Sequence, residues 1–306
     1  NEFGKTVLIT TGPEAYVEEI LSRSICTSGS ESDWLTAAGT SELPPECRDL
    51  PSLWQAGVPD NLITYDNLRG VLHCHTDWSD GNASLEEMAE AVRERGLAYI
   101  GICDHSQSAG YAGGLNATRV AAQHEEIDRL NESYGGTFRI FKGIESDIRV
   151  DGSLDYPEDV LKTFDFIVAS VHSQLDMDEQ TATDRICRAL ESPYTTMLGH
   201  PTGRLLLARR GYPLDWARII ETAVANHVVI ELNAHPSRLD IDWRHLPTLL
   251  AAGGLTSINP DAHLVRGIDV MRYGVGTARK AGTTPERVLN CLELDDIAEY
   301  FTKARP

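Results

Sequence analysis

The stretch VLHCHTDWSDG, residues 71–81, joins a short apolar run to a loop of small and polar residues. Alternate side chains of a strand share one face, so His73 and His75 point to one side and Cys74 to the other. The loop brings Asp80 back over the end of the same strand. This pattern predicts a strand end that presents several metal-binding side chains together.

The same arrangement recurs along the chain. Further apolar runs at 99–105, 140–145, 166–172, 196–200 and 256–263 end at a histidine or a carboxylate, and a helix-like stretch follows each run. Residues 228–233 add one more strand with no ligand at its end. Strands that alternate with helices pair in parallel, because parallel neighbours need crossover connections. The sequence therefore predicts an α/β fold, a TIM-like barrel of seven β/α units.

The C-terminal strand ends of such a barrel form the face where catalytic residues collect. Carboxylates and neutral imidazoles crowded there are costly to desolvate unless cations compensate them. The donors exceed what one ion uses, which predicts two or three divalent ions with a bridging carboxylate. Nitrogen and oxygen donors suit Zn²⁺, Mn²⁺ or Fe²⁺ without choosing among them. The predicted donors are His73, His75, Asp80, His105, Glu145, His172, His200, Asp261 and His263.

A clustered metal site lowers the pKa of a bound water and neutralises phosphate oxygens, so we expect a metal-dependent phosphoesterase. Arg204 and Arg238 are candidates to clamp a substrate phosphate. Tyr111, in the Gly-rich loop 109–115, is a candidate to pack over the substrate. Asp104 either orients a ligand histidine or caps a strand end. Metal roles are not expected for His124, predicted on an exposed helix surface, or for Cys74 and Cys103, predicted in the core.

Composition limits the function classes. The 306 residues carry 27 Lys and Arg against 46 Asp and Glu, a formal net charge of −19, which argues against a freestanding protein that holds nucleic acid by its phosphates. Six scattered cysteines without a CxxC pair suit a reducing cytoplasm. We expect no membrane span and see no signal-peptide pattern. The chain does not begin with Met, so whether it is part of a longer protein, and its oligomeric state, stay open.

Residues 1–66 differ in composition from residues 67–306, which we expect to form the catalytic domain. Val7–Thr10 is predicted as a strand before an amphipathic helix. Residues 24–66, which include several prolines, are predicted as a linker with some short structure. Helices are expected at 84–95, 116–134, 178–191, 214–227, 243–252, 267–280, 284–290 and 294–303, the last two closing the base or side of the barrel.

The HxH pattern, GIE at 143–145, VHS at 171–173, GHP at 199–201 and DAH at 261–263 make residues 68–303 resemble a PHP domain, the polymerase and histidinol phosphatase family. The resemblance implies a distorted seven-stranded barrel with a trinuclear centre. Some members carry His at the position of Asp80. By motif, one ion would take His73, His75, Glu145 and Asp261; a second would take Glu145, His172 and His200; a third would take Asp80, His105 and His263.

The phrases GHPTGRLL (199–206), NAHPSRLD (233–240) and MRYGVG (271–276) further resemble the PHP domain at the C-terminus of bacterial family X DNA polymerases. ELPPE at 42–46 is similar to the linker of those enzymes, and residues 3–12 to the junction into their thumb. The resemblance implies a 3′–5′ exonuclease that acts on DNA 3′ ends, with a metal-bridging hydroxide held by Glu145, His172 and His200. Polymerase activity is not expected, because its carboxylates would lie upstream.

Three alternatives remain at the level of sequence. The acidic charge favours a small-molecule phosphomonoesterase of the histidinol phosphatase type. A non-catalytic PHP module that supports a polymerase is a second alternative, although such a module would be expected to lack several ligands. A metal-dependent amidohydrolase on a related barrel is the third.

Overall fold

The structure is a computed structural model that describes residues 2–40 and 42–303. The chain forms two compact units. The first comprises Asn1–Ile63 with Gly276–Thr284, and the second comprises Thr64–Val275 with Pro285–Pro306. None of the helices in the described ranges has the length and apolar content needed to cross a membrane.

The second unit contains seven parallel strands that pair in the order of the sequence. A parallel bridge between Cys74 and Ala262 brings the segment after the last strand against the first, so the sheet is nearly closed. This confirms the distorted (β/α)7 barrel. The strands are β1 (Gly70–Cys74), β2 (Tyr99–Ile102), β3 (Arg139–Asp147), β4 (Phe166–Ser170), β5 (Met197–Leu198), β6 (Val229–Asn233) and β7 (Thr256–Asn259).

Helices follow the strands at most of the predicted positions, and polar caps set where they begin. The Ser84 hydroxyl accepts from the Glu87 amide at 3.2 Å and the Glu87 carboxylate accepts from the Ser84 amide at 2.8 Å, a capping box. The α-helices are α1 (Phe3–Thr11), α2 (Glu14–Arg23), α3 (Glu31–Ala37), α4 (Pro51–Ala56), α5 (Leu85–Glu94), α6 (Ala117–Tyr134), α7 (Glu158–Leu161), α8 (Glu179–Leu190), α9 (Trp216–Ala225), α10 (Leu246–Ala251), α11 (Met271–Lys280) and α12 (Leu294–Lys303).

The helix predicted over 284–290 is wrong. Two short 3₁₀ turns, Pro285–Arg287 and Leu289–Cys291, stand there instead. The reason is Asn290, whose buried side-chain amide donates to Gly70 O at 3.0 Å and to Ile258 O at 2.8 Å, and whose carbonyl oxygen accepts from the Ile258 amide at 2.9 Å. A straight helix would not leave this side chain between β1 and β7, the two strands that it joins.

Aromatic packing closes the base of the barrel, at the N-terminal strand ends. Phe301 of α12 stacks on Phe166 with ring centroids 4.9 Å apart and meets Phe141 edge-on at 5.1 Å. Ile297 joins the same buried cluster. Burial of one such phenylalanine contributes about 2–3 kcal/mol, so α12 fills the base, as the sequence predicts.

The first unit is helical, and the strand predicted in it is wrong. Val7–Thr10 lies inside α1, because Leu8 packs with Tyr16, Ile20 and Leu35 on the inner faces of neighbouring helices. The region 24–66 is not a simple linker, since it supplies α3, α4 and part of this core. Arg48 is buried there and donates to Leu43 O at 3.0 Å and to the Glu31 carboxylate at 2.8 Å.

Candidate metal centre

Glu145, near the C-terminal end of β3, is the centre of the predicted donor set. Its buried carboxylate is surrounded by imidazoles that come from the ends of β1, β2, β4 and β5. The imidazole nitrogens lie at 2.8 Å (His200 Nε2), 3.1 Å (His105 Nδ1), 3.2 Å (His172 Nε2), 3.5 Å (His73 Nε2) and 3.6 Å (His75 Nε2) from its oxygens.

The other predicted donors adjoin this ring. Asp261, just after β7, lies 3.3 Å from His75 Nε2 through Oδ1. Asp80, on the loop after β1, lies 3.3 Å from His263 Nε2 and 3.6 Å from His105 Nε2. The structure therefore brings all nine predicted donors to one mouth, at the C-terminal ends of the strands.

Three overlapping groups of donor atoms could hold metal ions. Within each group the donor atoms all lie within 4.8 Å of one another. One group is the donor set predicted for the third ion, with His75 added. Another is the set predicted for the first ion without Glu145, and the last is the set predicted for the second ion with His105 in place of His200. How the donors divide among individual ions stays a prediction. The groups are His75, Asp80, His105 and His263; His73, His75 and Asp261; and His105, Glu145 and His172.

The hydrogen bonding of the imidazole nitrogens indicates whether the nine predicted donors suit metal ions. The buried atoms His73 Nε2, His105 Nδ1 and both ring nitrogens of His75 have no hydrogen-bond partner among the described residues. Buried polar atoms are otherwise almost always hydrogen-bonded. Imidazole lone pairs that face carboxylates without a proton donor between them suit divalent cations. These residues therefore fit a site for divalent metal ions.

The pKa values of these residues reflect the same crowding. Burial lowers the pKa of His172, but Glu145 and Asp147 outweigh it and raise the value to about 10. In the same way Asp80 and Asp261 overcome burial and raise the pKa of His263 to about 9. Burial and the neighbouring His105 lower the pKa of His75 to about 3. Protons therefore carry the positive charge at His172 and His263 when no metal does.

Two donors stand on strained backbone. His200 has φ of 23° and Asp261 has φ of 52°, values in the left-handed region that non-glycine residues rarely adopt. Gly199 precedes His200 because a Cβ there would come within 2.3 Å of Ser170 Oγ. Strain of this kind collects at functional sites and persists only where the surroundings enforce it.

Sequence reasoning missed two carboxylates behind the donors. Asp147 accepts a hydrogen bond from His172 Nδ1, and Glu231 Oε1 lies 2.7 Å from His73 Nδ1. The signals were in the pattern of the strands. Asp147 follows Glu145 by two residues on the same face, and Glu231 and Asn233 alternate as polar residues in the otherwise apolar strand β6.

Among the described residues Asp104 makes no hydrogen bond to a ligand histidine, and its hydrogen bonds favour the capping alternative. Its carboxylate accepts from the Thr76 amide at 2.8 Å, from the hydroxyls of Thr76 and Ser79 at 2.7 and 2.5 Å, and from Gln123 Nε2 at 2.7 Å. Burial raises its pKa against these hydrogen bonds. Asp104 thus holds the loop that carries Asp80.

The three predicted substrate-binding residues have different surroundings in the structure. The Arg204 guanidinium is engaged by Asp242 at 2.7 Å and by the Arg238 carbonyl at 2.8 Å, an arrangement that gives no support to a phosphate role. Arg238 itself lies at the mouth, with Nε 3.3 Å from Asp261 Oδ2, and lines a cavity of about 320 Å³. Tyr111 is 74% exposed, and its ring centroid lies 6.2 Å from that of His105.

Among the residues outside the site, His124 is buried rather than exposed. It packs edge-on against Phe164 at 5.1 Å, on the inner face of α6 that also carries Val120 and Ile127. The spacing of positions 120, 124 and 127 is that of one helix face, and it could have predicted this burial. Cys74 and Cys103 are buried in the core, as predicted.

A parallel barrel that gathers imidazoles and carboxylates at the C-terminal ends of its strands defines the class of metal-dependent hydrolases. Comparison with known families then narrows the class. The PHP domain model matches residues 72–235, and the chain belongs to the PHP domain family.

Relatives differ in how much of their length the chain covers. It is 39% identical over 288 residues to the DNA polymerase/3′-5′ exonuclease PolX of Bacillus subtilis, a match that covers 94% of this chain and 50% of that protein. The chain thus spans about half the length of that relative. A probable phosphatase of Caldanaerobacter subterraneus is 29% identical over 252 residues, 78% of this chain and 93% of that protein.

Solved structures support the fold. The histidinol phosphate phosphatase of Lactococcus lactis, solved with zinc, L-histidinol and phosphate, superimposes with a TM-score of 0.51 at 16% identity. The match covers 68% of this chain and 92% of that one. At this identity the likeness shows a shared PHP barrel.

Proposed function

We propose that this protein is a metal-dependent phosphoesterase with a trinuclear centre that removes nucleotides from DNA 3′ ends in the 3′–5′ direction. The observation that carries the proposal is the ring of imidazoles around the buried Glu145 carboxylate, with Asp80 and Asp261 beside it. The polymerase and exonuclease relative supports the choice of DNA.

The ions, when bound, supply Lewis acidity that activates water and offsets charge on phosphate oxygens. Glu145 would help to hold two of the ions, one together with His73, His75 and Asp261 and the other together with His172 and His200. Asp147 holds His172 so that its Nε2 faces Glu145. Zn²⁺, Mn²⁺ and Fe²⁺ all suit these donors. The remaining donors, Asp80, His105 and His263, would hold the third ion.

Arg238 and Tyr111 contact the substrate in this proposal. Arg238 lines the cavity beside Asp261 and His263, where it can exchange its ion pair with Asp261 for a substrate phosphate. Arg204 acts behind it, because its guanidinium bonds to the Arg238 carbonyl. Tyr111 presents an exposed ring beside His105, which suits stacking on a base.

A small-molecule phosphomonoesterase is the second candidate. The net charge of −19 opposes binding of a long polyanion, and the chain covers nearly the whole length of a probable phosphatase. The complete donor set argues against a non-catalytic module. A hydrolysis assay with both kinds of substrate separates the two enzymes.

The test compares the wild type with His75→Ala and His245→Ala, each given Mn²⁺ and either a single-stranded oligonucleotide or a phosphomonoester. His245 stacks on Trp216 away from the donor ring and serves as the matched control. We expect His75→Ala to lose at least about 100-fold in turnover and His245→Ala to lose little. Equal turnover by wild type and His75→Ala would show that this site does not catalyse the hydrolysis. Hydrolysis of the phosphomonoester alone would favour the second candidate.

A further inference from the structure

Glu231 is a fully buried carboxylate in the middle of β6. Four N–H donors converge on its two oxygens. Oε1 lies 2.7 Å from His73 Nδ1 and 3.1 Å from Asn259 Nδ2, and Oε2 lies 2.7 Å from the His200 amide and 3.3 Å from Asn233 Nδ2. A carboxylate has enough lone pairs to accept all four. The side chain is therefore held in one position from several strands.

The bond to His73 decides which ring nitrogen is available. A carboxylate can only accept, so Nδ1 carries a hydrogen, and the neutral imidazole that binds a metal has its lone pair on Nε2. That Nε2 faces Glu145 at 3.5 Å and Asp261 at 3.8 Å and has no hydrogen-bond partner among the described residues. The free lone pair thus points at two carboxylates of the proposed centre.

The same carboxylate supports both strained donor positions. It accepts from the amide of His200, where φ is 23°. Through Asn233, which donates to Asp261 Oδ2 at 3.1 Å, it also reaches the residue where φ is 52°. One side chain of β6 consequently ties together donors that come from β1, β5 and β7.

We infer that Glu231 is a positioning residue that aligns His73, His200 and Asp261 for metal binding, an inference that rests on the proposed function. Its hydrogen bonds within the described ranges do not reach Asp80, His105 or His263. Glutamine could not replace it, because one of the two oxygens would become an amino group facing N–H donors. Carboxylates that support ligand histidines in this way change metal affinity by about 10- to 100-fold.

The test is a Zn²⁺ titration of the full chain against a competing chelator, with wild type, Glu231→Gln and Asp155→Asn. Asp155 is another fully buried carboxylate, and in the part of the chain that the structure describes it binds Ser108 and Arg149 but no imidazole. We expect Glu231→Gln to weaken at least one zinc equivalent by about 10- to 100-fold while another keeps its affinity. Asp155→Asn should keep all of them. Unchanged affinities in Glu231→Gln, or an equal loss in Asp155→Asn, would overturn the inference.

A second measurement covers the case in which Glu231→Gln does not fold. Histidine-selective ¹⁵N NMR of the zinc-loaded wild type should show His73 protonated at Nδ1 and coordinated through Nε2. The opposite tautomer overturns the inference. A wild type that binds zinc but hydrolyses no phosphoester contradicts the proposed function alone, whereas one that binds no zinc overturns both.

Discussion

The two ends of the barrel use the same strands for opposite purposes. At the base, Phe141, Phe166 and Phe301 pack in a buried cluster that α12 completes. At the mouth, several buried imidazole nitrogens have no hydrogen-bond partner among the described residues, and His200 and Asp261 occupy strained backbone. The comparison teaches that packing at the base stabilises the fold, whereas holding charged groups together at the mouth costs part of that stability. Changes at either end should therefore separate folding from chemistry.

The largest expected effect is on stability at the base. Phe301→Ala should lower the free energy of unfolding by about 3–5 kcal/mol, because it removes a buried ring and leaves a cavity. Denaturant unfolding of the zinc-free protein measures this loss. Turnover per folded molecule should change less than about twofold, since the mouth is at the other end of the strands. A large fall in turnover with unchanged stability would break the comparison.

Zinc affinity at the mouth should depend steeply on pH. His172 and His263, with pKa values raised to about 10 and about 9, are protonated at pH 7 when metal is absent. Zinc must displace these protons, so affinity should rise by about tenfold per displaced proton for each pH unit between 6 and 8. Calorimetric titration in two buffers of different ionisation enthalpy measures the protons released. Binding without proton release would contradict the expectation.

A smaller effect is expected at His124, an imidazole buried away from both ends. Burial, followed by the charge of Lys142, lowers its pKa to about 4. Between an unfolded value of about 6.5 and this folded value, only the unfolded chain binds the proton, so stability should fall as pH drops, by about 1–3 kcal/mol in total. Urea unfolding at pH 7 and pH 4.5 should give a smaller difference for His124→Leu than for wild type. Equal differences for the two proteins would contradict the lowered pKa of the buried His124.

Much of the barrel could be predicted from the sequence because its signals are local. His73 and His75 alternate on one strand face, and the other donors follow apolar runs directly, so a parallel topology is enough to bring them together. The family resemblance added the assignment to three ions. That part goes beyond the geometry of the donors alone.

The remainder depends on tertiary contacts that no local pattern encodes. Arg204 is a candidate phosphate-binding residue by sequence, yet the folded loops bring Asp242 and the Arg238 carbonyl within hydrogen-bond distance of it. Asp104 stands beside His105 but faces Thr76, from another strand end. The helix α1 was mistaken for a strand because a short apolar run does not distinguish the two, and packing on α2 and α3 decides it.

Asn290 gives the order of the chain a consequence for the mouth. The side-chain amide of Asn290 donates hydrogen bonds to both β1 and β7, the first and last strands. The ribosome synthesises Asn290 after both of these strands. His73 and Asp261 belong to opposite sides of that seam. A ribosome-bound chain that stops short of residue 290 would lack these side-chain hydrogen bonds, and the backbone hydrogen bonds of Ala262 with His73 and His75 alone would then hold the two sides of this donor group in register.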